Sequence, residues 1–230
     1  MTQRNDTKQT THIYFLLDRT GSMASMAADV IGGFNGFLAS QRAEPGFARM
    51  TLVQFDTVDP FEVIADGLPL NHVPELTHER FQPRGGTPLY DATAHLIGRA
   101  AGRVEERRAL GRQAEDIVFV TFTDGEENSS VRYTRADVQR MVKAKEEAGW
   151  TFVFLGAGLD AYAEGGAIGH AAGSTQAFAP DGHGARLAYS SLDAAMKRHR
   201  AASPAARAAA KESFFVETGK SAEEDRRERY

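Results

Sequence analysis

Three polar residues spaced by two, Asp18, Thr20 and Ser22, follow directly on the apolar run Ile13-Tyr14-Phe15-Leu16-Leu17. A carboxylate and two hydroxyls brought together offer only hard oxygen donors, the kind that suits Mg2+, Mn2+ or Ca2+. The same residues have a plain structural use, with Ser22 as a helix N-cap, Asp18 as a strand end and Thr20-Gly21 as a turn. Two further polar residues stand in similar places. Thr87 precedes Pro88 at the head of a helical pattern, where it caps the helix, directs its hydroxyl elsewhere, or does both, because a hydroxyl has two lone pairs. Asp124, in Thr123-Asp124-Gly125, follows another apolar run and reads either as an Asp-Gly turn or as a second carboxylate at a strand end.

The elements that must position these residues are legible as alternating patterns. His12 to Leu17 and Ile117 to Phe122 are short apolar runs without strict alternation, the signature of buried strands in a parallel sheet. From Ser22 onward Met23, Met26, Ala27, Val30, Phe34, Phe37 and Leu38 recur at steps of three and four, which predicts a helix. Met50–Phe55 and Phe61–Asp66 predict two strands separated by only five residues, too few for a crossover helix, hence an antiparallel hairpin at one sheet edge. A long irregular connection from Gly67 to Gly86 then leads to Thr87, and a connection of that length in a compact domain points to function. Leu89, Ala92, Leu96, Ala100 and Val104 mark the next helix. Thr134 to Asp137 is a capping box opening a helix that runs to Gly149, and Thr151–Leu155 is a strand. Gly156-Ala157-Gly158 leads through Asp160 into a weak helix ending by Gly169, and this stretch lacks the dinucleotide-binding spacing. Ser174 to Ala179 is a last strand, and Ala188, Leu192, Ala195, Met196 and His199 a last helix. Strands alternating with helices imply a doubly wound, Rossmann-like three-layer α/β fold, mostly parallel, with the carboxyl ends of its strands on one rim. Residues 1–11 are expected to be a flexible arm, 12–200 the domain, and 201–230 an Ala-rich and then charged tail, partly disordered.

Composition narrows the function. The 230 residues carry a net charge of -4, with no basic stripe, which argues against nucleic acid and against an anionic membrane surface. With no cysteine, thiolate metal sites and disulfides are excluded, and the seven histidines show no His-x-x-x-His spacing. The polar start has no leader-like apolar core and no run approaches membrane-spanning length, so the expectation is a cytoplasmic protein.

Asp-x-Thr-Gly-Ser-Met after the first strand, Thr-Pro-Leu-Tyr-Asp-Ala opening a middle helix, and Thr-Asp-Gly after the fourth core strand together resemble the von Willebrand factor A (VWA) domain, bacterial intracellular type, and its metal-ion-dependent adhesion site (MIDAS). The resemblance covers about residues 12 to 200. It implies that Thr20 and Ser22 ligate an ion through their hydroxyls, that Thr87 is the ligand gained or lost when the site switches state, and that Asp18 and Asp124 act directly or through water. It implies Mg2+, with Mn2+ or Ca2+ as alternatives, and a protein partner whose acidic residue completes the coordination, so that the ion is a bridge and the chain is not an enzyme. Thr20 stands where many family members have Ser, and the charge of Arg19 must point away from the ion. Two rival readings remain. Asp18-Arg19-Thr20-Gly21-Ser22 faintly resembles the nucleophile motif of haloacid-dehalogenase-like phosphotransferases, with Asp18 as nucleophile, but no lysine lies between Asp18 and Asp124 to bind phosphate. The other is a structural α/β module with a vestigial site.

Overall fold

A computed structural model describes residues 9–158 and 161–229 of the chain. Six strands form one sheet: β1 (Thr11–Asp18), β2 (Ala48–Phe55), β3 (Glu62–Pro69), β4 (Asp116–Thr123), β5 (Thr151–Ala157) and β6 (Thr175–Phe178), in the order β3-β2-β1-β4-β5-β6. All neighbours are parallel except β2 and β3, which form the antiparallel edge hairpin expected from their five-residue separation. The seven α-helices among the described residues are α1 (Ala27–Ala43), α2 (Leu89–Ala109), α3 (Arg135–Glu147), α4 (Ala161–Ala167), α5 (Gly182–Ala201), α6 (Pro204–Ala210) and α7 (Lys220–Arg229).

The sheet is buried on both faces, which explains why its central strands read as continuous apolar runs. Ile13, Phe15 and Leu17 of β1 pack with Val30, Phe34 and Leu192 of α1 and α5, while Tyr14 and Leu16 point the other way, into a core with Leu96, Phe119 and Val138. The α1 and α5 axes approach closely at Gly33, where a Cβ would stand 2.3 Å from the Tyr189 ring. The Thr134 capping box forms as expected, Thr134 Oγ1 accepting from the Asp137 N–H and the Asp137 carboxylate from the Thr134 N–H. Together these elements make the doubly wound three-layer α/β fold read from the sequence.

Three expectations change. Residues 1–8 of the expected arm, and Asp160, lie outside the described residues, but Thr11 belongs to β1 and is buried, because its hydroxyl donates to Asp116 at 2.9 Å. The helix expected from Ser22 begins as a tight 3-10 turn over Gly21–Met26, and α1 proper starts at Ala27. The segment 201–230, expected as a solvated tail, contains α6 and α7 and is tied to the domain. Phe214 and Phe215 are buried in the α1/α5 core, and Glu223 accepts from the Ala177 N–H of edge strand β6 at 3.0 Å and from Tyr162 Oη at 2.6 Å. Part of its charge is paired along the helix, Arg226 with Glu223 and Arg229 with Asp225. No helix among the described residues is long and apolar enough to cross a membrane.

Candidate metal centre

β1 and β4 are hydrogen-bonded neighbours in register up to Leu17 and Phe122, so Asp18 and Thr123 end side by side and Asp124 begins the adjacent turn. Thr123 Oγ1 donates to Asp18 Oδ2 at 2.6 Å and the Thr20 N–H donates to Asp18 Oδ1 at 2.7 Å. Ser22 Oγ donates to Asp124 Oδ1 at 2.7 Å and lies 3.1 Å from Thr20 Oγ1. Thr87 arrives from the other side of the rim. A Cβ built on Gly125 would stand 3.1 Å from Thr87 Oγ1, 3.5 Å from Ser22 Oγ and 3.9 Å from Asp18 Oδ2. The absence of a side chain at Gly125 therefore leaves one small space that Asp18, Ser22 and Thr87 all border, with Thr20 and Asp124 bonded to Ser22.

The capping alternatives for these hydroxyls do not materialise. Neither Thr20, at the head of the 3-10 turn, nor Pro88, at the head of α2, makes a side-chain cap, and the Thr87 hydroxyl has no hydrogen-bond partner among the described residues. Instead Thr87 is held by its backbone, its N–H donating to Asn128 Oδ1 at 2.8 Å and its carbonyl accepting from the Asn128 N–H at 3.1 Å. Ser22 is exposed whereas Asp18, Thr20 and Thr87 are buried, so the space opens to solvent on the Ser22 side.

The electrostatics are unbalanced. Burial pushes the Asp18 carboxyl up to about 7; hydrogen bonds from Thr123 and Thr20 oppose this, and the neighbouring Asp124 charge adds to it. Burial also raises Asp124, against the hydrogen bond from Ser22. No Lys, Arg or His pairs with either carboxylate among the described residues. Arg19, despite its position, turns away: its Nε donates to Asp56 Oδ2 at 2.9 Å, its Nη1 to Gln54 Oε1 at 3.1 Å, and it pairs with Glu62. No cluster of three or more His, Cys, Asp or Glu side chains suited to a metal ion occurs among the described residues. A cation here must therefore draw on the hydroxyls as well as on Asp18 and Asp124. Two carboxylates and three hydroxyls around one opening fit a hard divalent cation.

Several residues that shape this rim were not singled out from the sequence. Thr123 orients Asp18. Glu127 accepts the Tyr90 N–H at the start of α2 at 2.9 Å and folds its own loop by accepting the Ser129 and Ser130 N–H groups. Asp91 accepts the Tyr133 N–H at 2.8 Å, tying the α2 start to the loop before α3. The run Glu126-Glu127-Asn128 after a strand end was the available signal, but nothing local said which acid would face backbone amides.

No protein-family model matches the chain, and no curated protein matches it. Solved structures do. The pilus adhesin SpaC from Lactobacillus rhamnosus GG, in an open conformation, is 12% identical over 83% of this chain and 30% of its own, with a TM-score of 0.58. Proximal thread matrix protein 1 of the mussel byssus, with a zinc-occupied MIDAS motif, is 12% identical over 77% of this chain and 46% of its own, with a TM-score of 0.55. The SpRpn10 VWA domain is 12% identical over 77% of this chain and 93% of its own, with a TM-score of 0.49. The chain spans less than half the length of the adhesin and of the byssus protein. At such identities the likeness to the adhesin and the byssus protein, the two with TM-scores above 0.5, speaks to architecture alone, and it agrees with the six-stranded, mostly parallel sheet, its single antiparallel edge strand and its flanking helices: an α/β fold like that of the MIDAS-bearing byssus protein.

Proposed function

We propose that the chain is a metal-ion-dependent, adhesion-type protein-binding domain, in which a divalent cation bridges it to an acidic group of a partner protein. The carrying observation is the buried carboxylate of Asp18 beside the half-buried one of Asp124, bordered by three hydroxyls and with no cationic side chain paired to either among the described residues. A buried carboxylate stays ionised only where positive charge or hydrogen-bond donors compensate it, and a divalent cation supplies that charge. Thr20, Ser22 and Thr87 would hold it through their hydroxyls, and Asp18 and Asp124 directly or through water. Mg2+ suits a donor set that leaves room for waters, and Mn2+ takes similar ligands. The exposed Ser22 side is where a partner carboxylate would enter. The zinc-occupied MIDAS motif of the structurally similar byssus protein supports a divalent cation as the ligand.

The reading is of a binding module and not an enzyme. Ser22 bonds to Asp124, and among the described residues no histidine hydrogen-bonds to any of the five, which favours a binding module over a hydrolase with a histidine-activated serine. The test is thermal unfolding with and without millimolar Mg2+ or Mn2+, in the intact chain and in Asp18→Ala. A ligand that binds only the folded state stabilises it by about 2.7 kcal/mol at a hundredfold excess over its dissociation constant. The expected result is a cation-dependent rise in Tm in the intact chain that is absent in the variant. A Tm indifferent to both cations in the intact chain would overturn the proposal.

A further inference from the structure

The Thr87 hydroxyl is placed by a connection, residues 73–88, that contains no helix or strand, so its position against the β1–α1 turn depends on side-chain and loop contacts. Thr87 itself is bonded through its backbone to Asn128, and the contacts that tie the residues before it to the β1–α1 turn converge on Asp56, directly after β2. Asp56 is fully buried, and its Oδ2 accepts hydrogen bonds from Arg19 Nε at 2.9 Å and Arg84 Nε at 3.1 Å, with Arg19 Nη2 in ion-pair contact at 2.7 Å. Its Oδ1 accepts the N–H groups of Val58 at 2.6 Å and Asp59 at 2.8 Å, so the carboxylate also shapes the β2–β3 turn. Around this hub the backbones join: Arg19 N–H to Phe55 O at 3.1 Å, Arg84 N–H to Arg19 O at 3.0 Å, and Gly21 N–H to Gly85 O at 3.1 Å. The Gly86 N–H donates to Thr57 Oγ1 at 3.0 Å, which fastens the residue before Thr87 to the same turn.

Resting on the cation-site reading above, we propose that Asp56 is its positioning residue: by gathering Arg19 and Arg84 on one oxygen, it fixes the Thr87 loop against Asp18, Thr20 and Ser22. Two guanidiniums from different loops meet one carboxylate oxygen, so losing that charge leaves both arginines without a common partner and lets the two loops move apart. Arg19 also reaches Gln54 and Glu62 and so anchors the lock to both strands of the edge hairpin. The arrangement keeps arginine charge out of the cation space while using it to hold the donors in place. Outer residues that orient ligands in this way typically cost about ten- to hundredfold in metal affinity when changed.

The experiment is Mn2+ titration by calorimetry, with amide hydrogen exchange on the metal-free chains, in the wild type, Asp56→Asn, Arg19→Lys and, as a stability control at the far end of the sheet, Asp116→Asn. Asp56→Asn is expected to weaken Mn2+ binding about tenfold or more and to speed exchange at the Gly21, Arg84 and Gly86 amides, with Arg19→Lys intermediate in both. Asp116→Asn is expected to lower Tm without moving either quantity. Wild-type affinity and exchange retained in Asp56→Asn would overturn the positioning role, as would equal losses in Asp116→Asn. If the wild type binds no Mn2+, the cation reading fails, and the exchange of the three amides alone decides whether Asp56 fixes the Thr87 loop. Should Asp56→Asn not fold, Arg19→Lys carries the same two readouts.

Discussion

The two ends of the central strands β1 and β4 both carry a pair of buried or half-buried carboxylates, and the two pairs are treated in opposite ways. At the amino end Glu115 lies 3.1 Å from His12 Nδ1, 3.4 Å from Arg107, 3.5 Å from Arg103 and 3.8 Å from Arg49. Beside it Asp116 meets His199 Nε2 and Arg207 Nη1, both at 3.0 Å, and accepts from Thr11. At the carboxyl end Asp18 and Asp124 meet hydroxyls and backbone amides only. The electrostatic consequence follows. Burial raises Glu115, but the hydrogen bond from His12 and the charges of His12, Arg103 and Arg107 outweigh it and hold the group at about 2. Burial raises Asp18 as well, and with hydrogen bonds as the only opposition it stands at about 7. The amino end is electrostatically complete within the chain, whereas at the carboxyl end no Lys, Arg or His side chain pairs with the carboxylates among the described residues, and it is there that the proposed cation would sit. That difference distinguishes the two acidic pairs more clearly than the presence of acidic residues does.

The largest expected effect lies at the amino end. Glu115→Gln should destabilise the fold by about 3 kcal/mol in urea denaturation, because it strands several cations around a neutral group. Since the folded-state pKa of Glu115 is lower than its ordinary value, its contribution is full above pH 4.5 and is lost as pH falls from 4.5 toward about 2. A wild-type stability curve that shows no loss over that window beyond that of Glu115→Gln would break the comparison from this side. At the carboxyl end the sign should reverse. Asn at position 18 can still accept the Thr20 N–H and can donate to Thr123, so Asp18→Asn at pH 8 without metal should stabilise the fold, by about 1 kcal/mol or more, while ending any response to Mg2+ or Mn2+. Destabilisation on that substitution would mean that the Asp18 charge is already compensated. The smallest effect is expected at Ser22, which is exposed: Ser22→Ala should change metal-free stability by no more than about 0.5 kcal/mol yet weaken Mn2+ binding in the same titration. Unchanged Mn2+ affinity there would remove Ser22 from the donor set.

Much of the frame was legible because it is written in local pattern. Apolar runs such as Ile13 to Leu17 belong to strands covered on both faces, and the five residues between Phe55 and Phe61 could only make a hairpin. The positions of Asp18, Thr87 and Asp124 at element ends followed from the same runs. Less legible was the charged C-terminal stretch, whose composition resembles a solvated segment. Its hold on the domain comes from Phe214 and Phe215, two apolar residues in a polar context, and from Glu223, whose partner Ala177 lies 46 residues earlier.

By itself the sequence determined which residues could ligate a hard cation, which strands would be central, and the order in which helices and strands alternate, because burial pattern and residue chemistry are properties of short segments. It left open whether Ser22 and Thr87 spend their hydroxyls on helix caps, where the Arg19 charge goes, and which carboxylates find cations. Tertiary structure decided these, since each depends on partners far apart in the chain: Ser22 with Asp124, Arg19 with Asp56, His12 with Glu115. Whether a carboxylate is a structural ion pair or an open ligand is a matter of what the fold brings within a few ångströms of it, and no local pattern carries that distance.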